Sequence, residues 1–148
     1  MARDPVSLRV NAPRRAWRKV IRCRTMIFQM IVHEAFRMVW QDRSNDAELQ
    51  RLFARLQAAP DLGDSIPTCG MLRKLRAPDP SRRVGAQGGL RIVYMVNHEA
   101  RRIRLLMVYG KDERDDLTPR ELASLCSAAR ALRESDNQWA KEQRKGKR

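Results

Sequence analysis

Acidic residues are scarce in this chain. Seventeen Asp and Glu face 31 Lys and Arg across 148 residues, a formal net charge of +14. A surface with that imbalance attracts polyanions, of which nucleic acid is the commonest. Metal-binding residue types are few as well. The two histidines, His33 and His98, stand alone, and the three cysteines, Cys23, Cys69 and Cys126, are an odd number at wide spacing. No CxxC pair occurs, so neither a zinc site nor a disulfide framework is expected, and reduced thiols in a cytoplasmic protein are the plain reading. No other cofactor is expected. Long apolar runs are missing too, and none approaches the roughly 20 residues that cross a bilayer, which excludes a transmembrane helix. The apolar run Met26–Val32 follows a basic stretch, but Gln29 interrupts it and no small-residue cleavage site follows, so a signal peptide is not expected.

What is present suits one domain. A hydrophobic share of 43% can build a single core. The charge is unevenly spread. Residues 1–24 hold eight bases and one acid, and residues 135–148 hold five bases and two acids. These read as a basic N-terminal extension outside the fold and a basic C-terminal tail, flanking a domain over 25–134. Within that domain, residues 71–111 carry ten bases against two acids, while the segments on either side are net negative. The bases of 71–111 alternate with apolar residues, a pattern of sheet positions rather than of a solvated loop.

Periodicity supplies the elements. Met26–Val32 reads as a buried strand and Glu34–Trp40 as a short helix. Asn45 and Asp46 offer an N-cap, and Leu49, Leu52, Phe53 and Leu56 follow at helical spacing until Ala59-Pro60. Pro60 to Gly70 reads as loop. Three strands come next, Met71–Ala77, Leu90–Val96 and Arg101–Tyr109, the last two joined by a turn at Asn97–Ala100, which makes an antiparallel meander. Thr118-Pro119-Arg120-Glu121 forms a capping box that opens a helix over Pro119–Arg133. The expected fold is α+β: an N-terminal strand, two helices, a three-stranded antiparallel meander and a C-terminal helix.

Four strings in this order resemble the RelE/ParE toxin superfamily, in particular its HigB-like mRNA interferases. They are Ala59-Pro60-Asp61-Leu62-Gly63-Asp64-Ser65-Ile66, then Leu72-Arg73-Lys74-Leu75-Arg76, then Gly88-Gly89-Leu90-Arg91-Ile92-Val93-Tyr94, and finally Val108 to Thr118. The resemblance spans roughly residues 30–134 and implies a RelE-like toxin of a type II toxin–antitoxin system. Such a toxin cuts mRNA on the ribosome without a metal and is silenced by a cognate antitoxin carrying a DNA-binding domain. Carried onto matching positions, it implies Lys74, Arg76, Arg91 and Lys111 as catalytic. Arg73, Arg82, Arg83, Arg102, Arg104 and Arg114 would then dock mRNA and ribosomal RNA through phosphate contacts. The chain departs from the family at Ala86-Gln87, where relatives carry a base before the Gly-Gly pair, and at Leu117-Thr118, where the best-known branch has a tyrosine.

The residue types suit that chemistry. Cutting RNA with its own 2′-hydroxyl needs alignment, stabilisation of the phosphoryl oxygens and proton movement. Arg91 interrupts an otherwise apolar strand, and a guanidinium grips phosphate with two bonds and keeps its charge. Lysine can lose its proton when crowded by other cations or desolvated, so Lys74 or Lys111 suits proton transfer. Two other functions fit the same residues. One is a ParE-like inhibitor of DNA gyrase, and the other is a basic RNA-binding module without catalysis.

Overall fold

The structure is a computed structural model that describes residues 7–8 and 27–146. Among these residues, six strands form one mixed sheet in the order β1-β2-β6-β5-β4-β3. In chain order they are β1 (Ser7–Leu8), β2 (Gln29–His33), β3 (Asp64–Ile66), β4 (Cys69–Ala77), β5 (Leu90–Asn97) and β6 (Arg102–Gly110). Three helices accompany them: α1 (Glu34–Arg43), α2 (Asp46–Ala58) and α3 (Pro119–Lys145). The fold is therefore α+β, with the expected order of strand, two helices, meander and final helix. No helix among the described residues is long and apolar enough to cross a membrane.

The meander forms as its alternation demands. β4, β5 and β6 pair antiparallel with Arg76 opposite Arg91 and Arg91 opposite Tyr109. β2 joins β6 in parallel, Gln29 opposite Arg102 through Val32 opposite Leu105. Between these two parallel strands the chain passes through α1 and α2 and then β3, β4 and β5. Asn45 caps α2 by accepting from the Glu48 N–H at 2.9 Å, and Thr118 and Glu121 close the capping box of α3.

The pleat divides the side chains between two cores. Ile92, Tyr94, Ile103, Leu105 and Leu75 face α1 and α2, meeting Phe36, Leu52, Phe53 and Leu56. Leu72, Val93, Met95, Leu106 and Tyr109 face α3 and meet Ala129, with Leu122, Leu125 and Leu132 packed alongside. The Tyr94 hydroxyl ties the first core to the preceding loop, accepting from the Gly63 N–H at 2.8 Å and donating to the Pro60 carbonyl at 3.0 Å. A Cβ at Gly63 would come within 2.8 Å of the Lys74 carbonyl and of the Tyr94 ring.

Four expectations need correction. The stretch from Pro60 to Gly70 is not all loop, because Asp64–Ile66 pairs with β4 at the sheet edge; three residues are too few to show a period. The final helix does not stop at Arg133. Its apolar stripe continues through Asp136 and Ala140, both buried, to Lys145, so residues 135–145 belong to the fold and not to a tail. Ser7–Leu8 pairs antiparallel with β2, which places part of the N-terminal extension on the sheet; the rest of residues 1–26 lies outside the described residues. Lastly, Cys69 and Cys126 form a disulfide, with Cα atoms 5.9 Å apart across 57 positions of sequence. Only the docking of α3 on β4 brings them together, so spacing could not reveal the pair.

Candidate nucleic-acid interface

The sheet face under α3 carries two clusters of arginine, one at each end of the helix. Nearest its N-terminus, the register sets Arg76, Arg91 and Tyr109 in a row across β4, β5 and β6. Lys74 precedes Arg76 by two residues and shares its face. These are three of the four residues expected to be catalytic, brought side by side by strand pairing alone.

Arg91 is 5% exposed. Its guanidinium donates to the carbonyls of Ala86 at 3.1 Å, Gln87 at 2.7 Å and Leu90 at 3.3 Å, so the turn before β5 holds it in place. Among the described residues no carboxylate pairs with it. Burial chiefly, and then the neighbouring charge of Arg76, pushes its pKa down, yet a guanidinium stays charged at physiological pH. A cation desolvated beside a like charge, with only carbonyl dipoles around it, favours any anion that arrives.

The row is edged by proton-bearing groups. The Tyr109 hydroxyl lies 3.5 Å from Asp116 Oδ1, and burial, then the Asp116 charge, pushes the phenol up to about 12. It keeps its proton at neutral pH. Lys74 Nζ donates to the same Asp116 oxygen at 3.3 Å. The Leu117 N–H, bonded at 2.8 Å, and then Lys74 hold the Asp116 carboxyl below its ordinary range against partial burial. Arg114 lies over the Tyr109 ring at 5.4 Å while its Nη1 grips both Glu121 oxygens at 2.6 Å. Lys111, exposed, follows β6, and its N–H reaches the Gly89 carbonyl at 3.0 Å. Its backbone thus closes the same end of the sheet.

A Cβ at Gly89 would overlap the Ala77 carbonyl and lie 2.7 Å from the carbonyl of Gly85. Only glycine lets the Arg91-binding turn fold against β4, and this gives a physical reason for the Gly-Gly pair.

The remaining expected docking residues do not form one surface. Arg73 donates to the Gly63 carbonyl at 2.6 Å and sits 3.4 Å from an Asp61 carboxylate oxygen. Arg82 is held by Asp79 at 3.0 Å and by the Gly88 carbonyl at 2.7 Å. Asp79 is 0% exposed. Burial works to raise its pKa, but hydrogen bonds from Arg43, Ser81 and Arg82 prevail and hold it at about 2. Arg43 extends this network to Asp112 and Glu113 at 2.6 Å each, fastening α1 to the segment after β6. Arg83 is exposed, with φ of 55°.

Arg102 and Arg104 are placed differently. Both lie beneath the C-terminal half of α3, where Asp136 meets them. Arg104, 1% exposed, binds Asp136 through Nε at 2.9 Å and Nη2 at 2.7 Å, and its Nη1 is 3.0 Å from His33 Nε2. Arg102 Nη1 reaches Asp136 at 2.7 Å, its Nε reaches Gln29 at 3.1 Å, and its guanidinium stacks 3.7 Å from the Trp139 ring. These two arginines fasten α3 to the sheet through Asp136. Asp136 and Asp116 were both missed by sequence reasoning. Asp136 had a visible signal, since it lies on the stripe running Ala129, Leu132, Asp136, Ala140. Asp116 had none beyond its place just before the capping box. No protein-family model matches the chain.

Proposed function

We propose that the chain is the toxin of a type II toxin–antitoxin system, a RelE-like, metal-independent endoribonuclease that acts in the cytoplasm on mRNA held by the ribosome. The observation that carries this reading is the Arg76–Arg91–Tyr109 row, a buried cation beside a second cation with no acid among the described residues paired to either. The phosphodiester would lie on this row, with Arg91 and Arg76 binding the non-bridging oxygens as their charge grows. The 2′-oxygen attacks phosphorus, the bond to the 5′-oxygen breaks, and a 2′,3′-cyclic phosphate and a 5′-hydroxyl result. Lys74 or Lys111 moves one of the two protons, and Tyr109, which keeps its proton at neutral pH, is placed to donate the other. Lys111 and Arg114 border the row and extend it as phosphate contacts, and a cognate antitoxin with a DNA-binding domain would cover it.

The burial of Arg91 against the turn favours a second reading, a basic RNA-binding module without catalysis, in which that guanidinium only braces the turn. Primer extension on mRNA in a translating extract, with the purified chain added, separates the two. Discrete cuts ending in cyclic phosphate support the nuclease. Ribosome binding with intact mRNA supports the module, and inhibited supercoiling by gyrase in a parallel assay would point to the ParE-like alternative.

A further inference from the structure

Away from the Arg91 row, a groove of about 520 Å³ lies between α3 and the neighbouring ends of β4 and β5. Its lining includes Arg73, Arg130 and Arg133 against one acid, Asp61, and both sulfur-bearing residues of the Cys69–Cys126 bridge. Arg130 and Arg133 are exposed and make no hydrogen bond or ion pair with the described residues. They stand three residues apart on one helix, where like charges repel. Asp61 is already engaged by Arg73 and by His98, whose Nε2 lies 3.0 Å away. The groove therefore combines unneutralised guanidinium groups with a disulfide open to it, and its volume suits a small peptide.

We propose that this groove is a thiol–disulfide exchange site for a small anionic thiol of the glutathione type. The arginines bind the carboxylates of the thiol and raise the fraction of it present as thiolate, the form that attacks a disulfide. Cys126 is the less buried of the two cysteines, so its sulfur is the one attacked. The incoming thiolate forms a bond to Cys126 Sγ, the Sγ–Sγ bond breaks, and Cys69 leaves as a thiolate that takes a proton. A second thiol then attacks the mixed disulfide, releasing Cys126. In sum two thiols become one disulfide, and the protein bridge gains two electrons and two protons. Because the bridge fastens α3 to β4, the exchange would set how firmly the helix is held.

The test uses the full chain with Cys23→Ser, so that only two thiols are counted. Reduction of the bridge is followed by mass spectrometry after alkylation, with glutathione and with its diester, which keeps the thiol and loses the carboxylate charges. Glutathione should react about tenfold faster at low salt, an electrostatic advantage that falls steeply as salt rises. The same advantage should disappear in Arg130→Ala/Arg133→Ala, whose side chains make no hydrogen bond or ion pair with the described residues, while the rate with the diester changes far less. In Cys69→Ser, oxidised glutathione should leave one glutathionyl group on Cys126. Equal rates for the two thiols in the wild-type chain would overturn the proposal, as would an advantage that survives the double variant. Two free thiols at positions 69 and 126 in the air-oxidised protein would overturn it as well.

Discussion

The two ends of α3 lie beside two clusters of arginine, and they differ in whether the aspartate at each one reaches the guanidinium groups. At the C-terminal end, Asp136 enters between Arg102 and Arg104 at 2.7–2.9 Å. At the N-terminal end, the helix begins beyond the row of Arg76 and Arg91. Asp116 bonds Lys74 and Tyr109 there instead. The first cluster is neutralised and closed, and the second is left with positive charge facing outward. An arginine on a sheet is structural or available according to what the next layer brings to it, and its own strand does not decide the matter.

Breaking the closed cluster should have the largest effect. Asp136→Ala leaves Arg104 buried without its acid, and the loss of one partner of a buried pair costs about 3–5 kcal/mol. Chemical denaturation checks this. A loss below about 1 kcal/mol would mean that water already reaches the pair. In the open cluster, Arg91→Ala should instead lower single-turnover cleavage by about 10²–10³, with a much smaller loss of ribosome affinity, since many phosphate contacts share that term. Unchanged cleavage at saturating protein would make Arg91 a brace for the turn and nothing more. Arg102→Ala should do the opposite, lowering stability while leaving the chemical step alone.

Between the two ends lies the disulfide. Closing a loop of this length stabilises by up to about 4 kcal/mol in the chain-entropy picture, so Cys126→Ser should lose about 2–4 kcal/mol. Helix exchange should then quicken in the N-terminal half of α3 more than around Asp136. Uniform loosening along the helix would show that its two ends are not anchored independently.

The smallest effect concerns Asp79, a second acid enclosed by arginines. Its carboxyl is held at about 2 against an ordinary value near 3.9. A depressed carboxyl stabilises the fold fully above the unfolded value and loses that contribution as pH falls through the folded one. Stability should therefore decline between about pH 4 and pH 2 by on the order of 2 kcal/mol, and Asp79→Asn should flatten that part of the profile. An acid limb that persists in Asp79→Asn would assign the effect to other carboxylates.

Much of the fold was legible because it is written in local chemistry. The alternation in Leu90–Val96, the stripe of Leu49, Leu52, Phe53 and Leu56, and the capping box at Thr118 each specify an element within a dozen residues. The shared face of Lys74 and Arg76 was legible from their spacing, but their meeting with Arg91 was not, because residues 78–89 separate β4 from β5 and fix no register. The fate of Arg102 and Arg104 was not legible either, since the alternation that marks Arg91 marks them equally, and only the extra turns of α3 tell them apart.

Segment by segment, the sequence determined which residues become strand or helix, which face of each is apolar, and where ten of the bases gather, since these depend on side-chain period and on charge. Tertiary structure alone decided that Cys69 meets Cys126, that Asp136 reaches Arg104, and that Arg91 has no acid beside it among the described residues. Each of these depends on where a distant helix lands on the sheet, and that position is set by packing across long stretches of chain, which no local pattern encodes.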